Sequence, residues 1–487
     1  MTSLKINPLD IPEIRSMVGQ YLGRSNLARC LRVCKSWHAS FMPLVWSTTK
    51  VWKETSSVLH NPPLEAFIRY SHHLKDLYYY TDAPEDYRFT PCPNLLRLKV
   101  DFTWIRKVRG TNIVPVQIAP YEKLRYLSIY GVDMGLSRSV MWEPVHYHNL
   151  SELELHDLEI KPTCTATFWD LCAQLASLKI EKVSVAEMPA RSIIFDRLQR
   201  LELELKFQNS LEPKSQNSLE HQLDWITQCP NLSILRWYSN GSHLASSFVK
   251  GFIRGTSTWD NLRELMLMSF EFTDGQLARI IGAMRELRVL DVYTCEVGSC
   301  SLKALRLHSQ SLTSLIAMDC DFSASSFVPG VLASFPHLEY LAFDSVMSQD
   351  IIDGPPWACE RSLKVLVAGF QFDLDLDNQD LVYHQRQVLQ KVSRLTNLKE
   401  LHLTYGQADN ARDLDLRLEN GLDQLATLEH LEKFVLCTRI KRLSVIDVKW
   451  MIDNWKNLKE YKGYLNTANK EEQTAMLQAA GINCTIY

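Results

Sequence analysis

The sequence predicts an α/β fold: a short N-terminal module of three helices, then a solenoid of stacked units with a curved parallel sheet inside and helices outside. Three observations carry this reading. A leucine phrase recurs from Leu74 to Leu458 at a mean spacing of about 27 residues. The stretches between phrases often place apolar residues at helical spacing. The residues before Lys50 lack the phrase and instead carry short amphipathic runs separated by helix breakers. One strand and one helix cannot bury their apolar sides alone, whereas stacked neighbours can. At 487 residues the chain is about three times the usual single-domain length, so an array is expected rather than one core.

Taken in chain order, Pro12 suits a first helical turn and Glu13 sits favourably beside the positive helix end. Ile14, Met17, Val18, Tyr21 and Leu22 share one side of this helix, with Arg15, Ser16 and Gln20 opposite. Gly23 stops it. Ser25-Asn26 opens a second helix carrying Leu27, Cys30, Leu31 and Cys34. A third short helix carries Trp37 and Phe41, and Pro43-Leu44-Val45-Trp46 closes the module. Three helices in about 40 residues make too small a core for comfortable independence, and tryptophans are typical docking anchors.

The repeated phrase is a polar residue, Leu, two variable residues, Leu, one variable residue and an apolar one. Clear copies are Asn94-Leu95…Leu98…Val100, Asn149-Leu150…Leu153…Leu155 and Asn261-Leu262…Leu265…Leu267. Its period-two alternation reads as a short strand with one buried face. After two of these strands, Cys295 and Cys320 occupy the place where the chain must turn inward and tie down unpaired backbone groups. Asp274 to Met284 reads as a helix after an Asp cap, and Ala324 to Ser334 and Val382 to Leu395 read similarly. The polar run 208–218 reads as a loop, and Asn469 to Met476 as a helix that caps the last repeat.

Composition excludes several functions. Lys and Arg number 53 against 56 Asp and Glu, a net charge of −3 that argues against a basic nucleic-acid surface or an acidic DNA-like tail. Hydrophobic residues at 46% are too many for disorder. The 12 cysteines are scattered without disulfide-framework spacing. No signal-peptide core or membrane-spanning apolar stretch is present, so the expected location is cytoplasmic or nuclear. There is no phosphate-binding glycine loop, no nucleophile elbow and no His-Glu-x-x-His. His72-His73 and His146-Tyr147-His148 lack further ligands and read as surface histidines. Asp373-Leu374-Asp375-Leu376-Asp377 lacks the Gly and Glu of a calcium loop and reads as a solvated loop. No metal, cofactor, nucleic acid or membrane is expected as a partner.

The phrase and its period resemble the leucine-rich repeat family over roughly Leu74 to Tyr464. The N-terminal module resembles the F-box. The family pattern of Leu-Pro-x-Glu-Ile, Tyr-Leu, Val-Cys-x-x-Trp and Pro-Leu-x-Trp is met by Ile11-Pro12-Glu13-Ile14, Tyr21-Leu22, Val33-Cys34-Lys35-Ser36-Trp37 and Pro43-Leu44-Val45-Trp46. The departures are one residue missing between Pro12 and Glu13, Ile11 in place of Leu, and Arg15 where the family usually places a leucine on its docking face.

That resemblance implies a non-catalytic substrate-recognition subunit of an SCF-type ubiquitin ligase. The F-box would bind a Skp-type adaptor, and through it a cullin scaffold, while the repeats hold a protein substrate. Adaptor contacts would then be Ile11, Pro12, Ile14, Val18, Leu22, Leu27, Val33, Trp37, Pro43, Leu44 and Trp46. The implied domains are an F-box over 7–50, a linker and N-terminal cap over 51–73, repeats over 74–464 and a C-terminal cap over 465–487. The competing reading is a protein-binding scaffold whose N-terminal helices only cap the solenoid.

Residues alternating with the buried leucines should face the concave side. Early units present Glu152, Glu154, Glu202 and Glu204 there, and central units present Tyr238, Met266, Met268, Tyr293, Ile316 and Met318. Met and Tyr make adaptable contact surface, so Tyr238 to Met318 is the expected substrate seat, flanked by an acidic stretch that favours basic partners. A covered patch, or a register off by one, is the alternative.

Overall fold

The leucine phrases form parallel strands in register, each pairing with the next copy along the chain, in a computed structural model of the protein. The structure describes residues 7–51, 61–80, 87, 90–102, 114–116, 118, 121–131, 140–190, 192–207, 216–239, 246–256, 259–322, 326–404, 411–437 and 443–486. It forms two compact units, Met1–Asn231 and Leu232–Tyr487. Among the described residues no helix is long and apolar enough to cross a membrane. All 12 cysteines are free thiols.

The first unit opens with α1 (Pro12–Gln20), α2 (Arg24–Cys30) and α3 (Lys35–Trp46). Pro12 occupies the first turn of α1, as its fixed φ and missing N–H favour. Helix α3 runs through Pro43 to Trp46 rather than ending before the proline. Gly19 lets α1 approach α3: a Cβ there would collide with Leu44 Cδ1 and lie 2.8 Å from the Phe41 ring. Arg15 corrects the sequence expectation. It is buried between the helices, donating to Ser40 Oγ at 3.0 Å and to the Leu9 carbonyl at 2.9 Å, so it adds no charge to the outer face. Two satisfied hydrogen bonds explain why a charged side chain is tolerated inside so small a bundle.

The chain then enters a parallel ladder of seven strands: β1 (Thr48–Val51), β2 (Asp76–Tyr80), β3 (Arg97–Asp101), β4 (Tyr126–Tyr130), β5 (Glu152–His156), β6 (Ser177–Val185) and β7 (Arg200–Phe207). A second short ladder joins Val114–Val116, Val140–Trp142 and Glu159–Ile160. Behind the strands lies an aromatic core, where Trp169 packs against Trp225 with ring centroids 4.8 Å apart. The polar run expected as a loop divides: residues 208–215 lie outside the described residues, and a helix spans Gln216–Ile226.

The second unit is a ladder of ten parallel strands. They are β8 (Ile234–Tyr238), β9 (Glu264–Met268), β10 (Val289–Tyr293), β11 (Ser314–Met318), β12 (Tyr340–Phe343), β13 (Val365–Ala368), β14 (Glu400–Leu403), β15 (Lys433–Leu436), β16 (Glu460–Gly463) and β17 (Asn483–Ile486). Leu235, Leu265, Leu290, Leu315, Leu341, Leu366 and Leu401 are all buried on one side of it. Strands β1 and β17 carry the ladders beyond the 74–464 span that the leucine phrases marked, because neither contains the phrase itself.

Two kinds of side chain tie one repeat to the next. The asparagine before the first leucine donates to a carbonyl of the preceding repeat: Asn94 to His72, Asn149 to Glu122, Asn231 to Asp196, Asn397 to Arg361 and Asn457 to Glu429, each at 2.7 Å. This explains why the phrase opens on a polar residue: backbone groups at the strand start need a partner. After the strands, Thr294 and Asp319 adopt left-handed conformations at φ 59° and 52°, and the following cysteines turn under the sheet. Cys320 Sγ donates to the Val292 carbonyl of the preceding repeat at 3.5 Å, whereas Cys295 Sγ donates to the Tyr293 carbonyl within its own repeat, at 3.5 Å.

The helix Asp274–Gly282 is capped differently from the sequence expectation. Thr273 forms the capping box with Gln276. Asp274 instead accepts the backbone N–H groups of Cys300 and Ser301 in the next repeat, at 2.9 and 2.8 Å. Partial burial opposes its ionisation, but the hydrogen bonds from Ser301 and Cys300 prevail and hold its carboxyl below the ordinary value. Asp377, expected in a solvated loop, caps the helix Asn378–Val392 by accepting from Gln379 and Asp380 N–H at 2.8 Å.

Candidate functional site

Two surfaces stand out, one in each unit. In the first, α1 leaves an apolar face in solvent. Met17 is 59% exposed, Tyr21 89% and Val33, just after α2, 60%, with Val18 and Ile11 also exposed. The spacing of positions 17, 18 and 21 puts these three on one stripe of α1 and its C-terminal cap. The other stripe, including Gly19, meets α3.

The residues expected as adaptor contacts do not all lie on this face. Ile11, Pro12, Val18 and Val33 are exposed, and Ile14, Leu22, Trp37 and Pro43 are half-buried. Leu27 is buried inside the bundle. Leu44 faces Gly19. Trp46 packs against Tyr70 of the following helix, Leu64–Tyr70, at 5.1 Å between centroids, and so belongs to the junction with the ladder. Arg24 reinforces that junction by donating to the Thr48 carbonyl. Met17 and Tyr21 were on the apolar stripe of the sequence but were not among the expected adaptor contacts, and they are the most exposed apolar side chains of that stripe.

In the second unit, the outward face of β8 to β12 gathers the expected seat residues. Tyr238, Met266, Met268, Tyr293, Ile316 and Met318 are all half-buried and alternate with buried neighbours. Pairing places Met266 beside Asp291 and Asp291 beside Ile316 in one row, with Tyr238 beside Met268 and Tyr293 beside Met318 in the next. Tyr238 Oη reaches Met266 Sδ at 3.6 Å.

Asp291 was not singled out by sequence, because a polar residue at an outward strand position is unremarkable. The structure makes it unusual. It is only 3% exposed, and its Oδ1 meets no donor among the described residues. Burial pushes its carboxyl up to about 6, against a weaker opposing pull from the Arg236 guanidinium. Burial, with Asp291 nearby, also pushes the Tyr293 hydroxyl up to about 12.

The acidic stretch of the first unit is not the bare field its glutamates suggested. Lys179 stands in register between Glu154 and Glu202 and pairs with Glu202 at 2.8 Å. Glu154 accepts from Tyr126 Oη at 2.6 Å. Reading one strand at a time shows the acids but not the cation that the neighbouring strand brings alongside. Among the described residues, no three metal-ligating side chains are grouped to hold an ion.

No family model matches the chain, and no curated protein matches it significantly. Among solved structures, it superposes on an internalin (InlF) from Listeria monocytogenes with a TM-score of 0.36 at 14% identity, covering 70% of this chain and 81% of that one. It superposes on TLR13 from a complex with ssRNA13 with a TM-score of 0.38 at 13% identity, covering 85% of this chain and 61% of that one. The chain therefore spans less than two thirds of the TLR13 length.

Proposed function

We propose that this chain is an F-box protein: a non-catalytic substrate-recognition subunit of an SCF-type ubiquitin ligase, acting in the cytoplasm or nucleus. Its N-terminal helices bind a Skp-type adaptor, which links to a cullin scaffold, and its repeats hold a protein substrate on the outward face of β8 to β12. The observation that carries this reading is the apolar face formed by Ile11, Met17, Val18, Tyr21 and Val33. Exposed apolar groups on a bundle of about 40 residues favour association, since covering them removes apolar surface from water.

The competing reading, in which the helices only seal the ladder end, draws support from the Trp46–Tyr70 packing and the Arg24 hydrogen bond. A terminal cap, however, presents a polar outer face to solvent. Here Met17, Val18, Tyr21 and Val33 stay exposed while the ladder contacts are made by Arg24 and Trp46, so different residues of the module serve the two roles. Co-purification with a Skp-type adaptor tests the proposal. Capture by the intact chain, lost on Val18→Asp with Tyr21→Asp, supports it; no capture by the intact chain overturns it.

A further inference from the structure

Asp291 lies in the middle of the seat, in the row between Met266 and Ile316. It is a carboxylate withdrawn from water with an oxygen that no described donor satisfies. A buried polar atom without a partner is disfavoured in the free protein and becomes favourable only when something supplies the missing donor. The side chains around it are large and apolar or aromatic. Met266 and Ile316 flank it, Tyr293 follows on its own strand, and Tyr340 of β12 is within electrostatic reach. Among the described outward residues of β8 to β12, Arg236 is the one cation, and it lies one strand beyond Met266. Asp319 and Asp344 stand just past the ends of β11 and β12, where the Asp319 backbone N–H donates to the Asp344 carboxylate. The charge within reach of an incoming group is therefore mostly negative, and the contact surface is thioether, aliphatic and aromatic.

We propose that this row of the sheet face takes a cationic side chain, arginine or lysine, from an extended segment of the partner protein, with Asp291 as its counter-ion. The aliphatic stem lies against Met266 and Ile316, and the head group sits beside the rings of Tyr293 and Tyr340. Long cationic side chains favour such surroundings, because their stems bury on apolar surface and their charge is attracted to aromatic faces. A hydrogen-bonded ion pair would also satisfy the unpaired oxygen. This inference rests on the proposal that the repeats bind a protein on this face, and it names the chemistry of the group recognised.

The test uses the full chain and two short peptides, acetyl-Gly-Arg-Gly-amide and its citrulline counterpart, which keeps the shape but replaces the charged guanidinium by a neutral urea. Binding is followed by titration calorimetry at pH 7.5. The expected result is at least ten-fold tighter binding of the arginine peptide, with the preference abolished in Asp291→Asn. Equal binding of the two peptides, no measurable binding of the arginine peptide, or an unchanged preference in Asp291→Asn overturns the inference. Adaptor capture and substrate capture by the Asp291→Asn chain are measured in parallel. If both persist while the unmodified chain shows no preference for the arginine peptide, the cation site is wrong and the receptor reading stands; if the intact chain captures no adaptor, the receptor reading fails independently.

Discussion

Replacing Asp291 by asparagine is expected to make the protein more stable. Burial raises its carboxyl from an ordinary value of 3.8 to about 6. The folded state therefore holds the proton more tightly than the unfolded chain. The stabilising contribution of protonation is complete below the unfolded value and is lost as pH rises through about 6. Above that point the ionised, unpaired carboxylate opposes folding. A rise of about two pKa units corresponds to about 3 kcal/mol at pH 8. Because the side chain is 3% exposed, solvent screening does not discount this heavily. Arg236, Tyr293 and Tyr340 are the charged or titratable groups facing it, while Met266 and Ile316 contribute none. Urea unfolding followed by circular dichroism, at pH 8 and pH 4, measures the difference. Asp291→Asn should gain up to about 3 kcal/mol at pH 8 and under about 1 kcal/mol at pH 4, with little change in m. A variant that is less stable than the parent at pH 8, or that keeps the parent's pH dependence, would refute the reasoning.

Other consequences are equally direct. Gly19→Ala forces a methyl group against Leu44 and Phe41, so it should destabilise the N-terminal helices by about 1–3 kcal/mol despite alanine's better helix propensity, with Leu44→Ala restoring part of the loss in thermal melts. Asn149→Ala and Asn457→Ala each remove a 2.7 Å hydrogen bond to the preceding repeat and should each cost about 1 kcal/mol by urea melts. These sites share no partner, so the double variant should show the two losses added together. Met266→Glu with Met318→Glu places charge on half-buried positions of the seat. Substrate capture should be lost while the thermal midpoint shifts little; a large drop would show that these methionines are core.

The strand ladder was legible because its determinants are local and repeated. Leu265, Leu290, Leu315 and Leu341 alternate with outward residues at intervals of 25 or 26, and parallel pairing simply stacks equal phrases. Strands β1 and β17 were missed because they carry no phrase and are recruited by their neighbours. The role of Asp274 was misread for a related reason: its partners, Cys300 and Ser301, lie in the next repeat. Arg15 fits no stripe rule, since its burial depends on Ser40 and the Leu9 carbonyl arriving at the right place. The seat residues could be read from alternation alone. What makes Asp291 unusual could not, because an unsatisfied oxygen is a property of all its neighbours together.

The central claim, that the exposed apolar face of α1 and Val33 docks a Skp-type adaptor, is tested most directly by size-exclusion chromatography of the intact chain with purified adaptor. The account predicts co-elution, abolished by Val18→Asp with Tyr21→Asp in a chain whose circular dichroism is unchanged. Separate elution of the intact chain and the adaptor at micromolar concentration would contradict it.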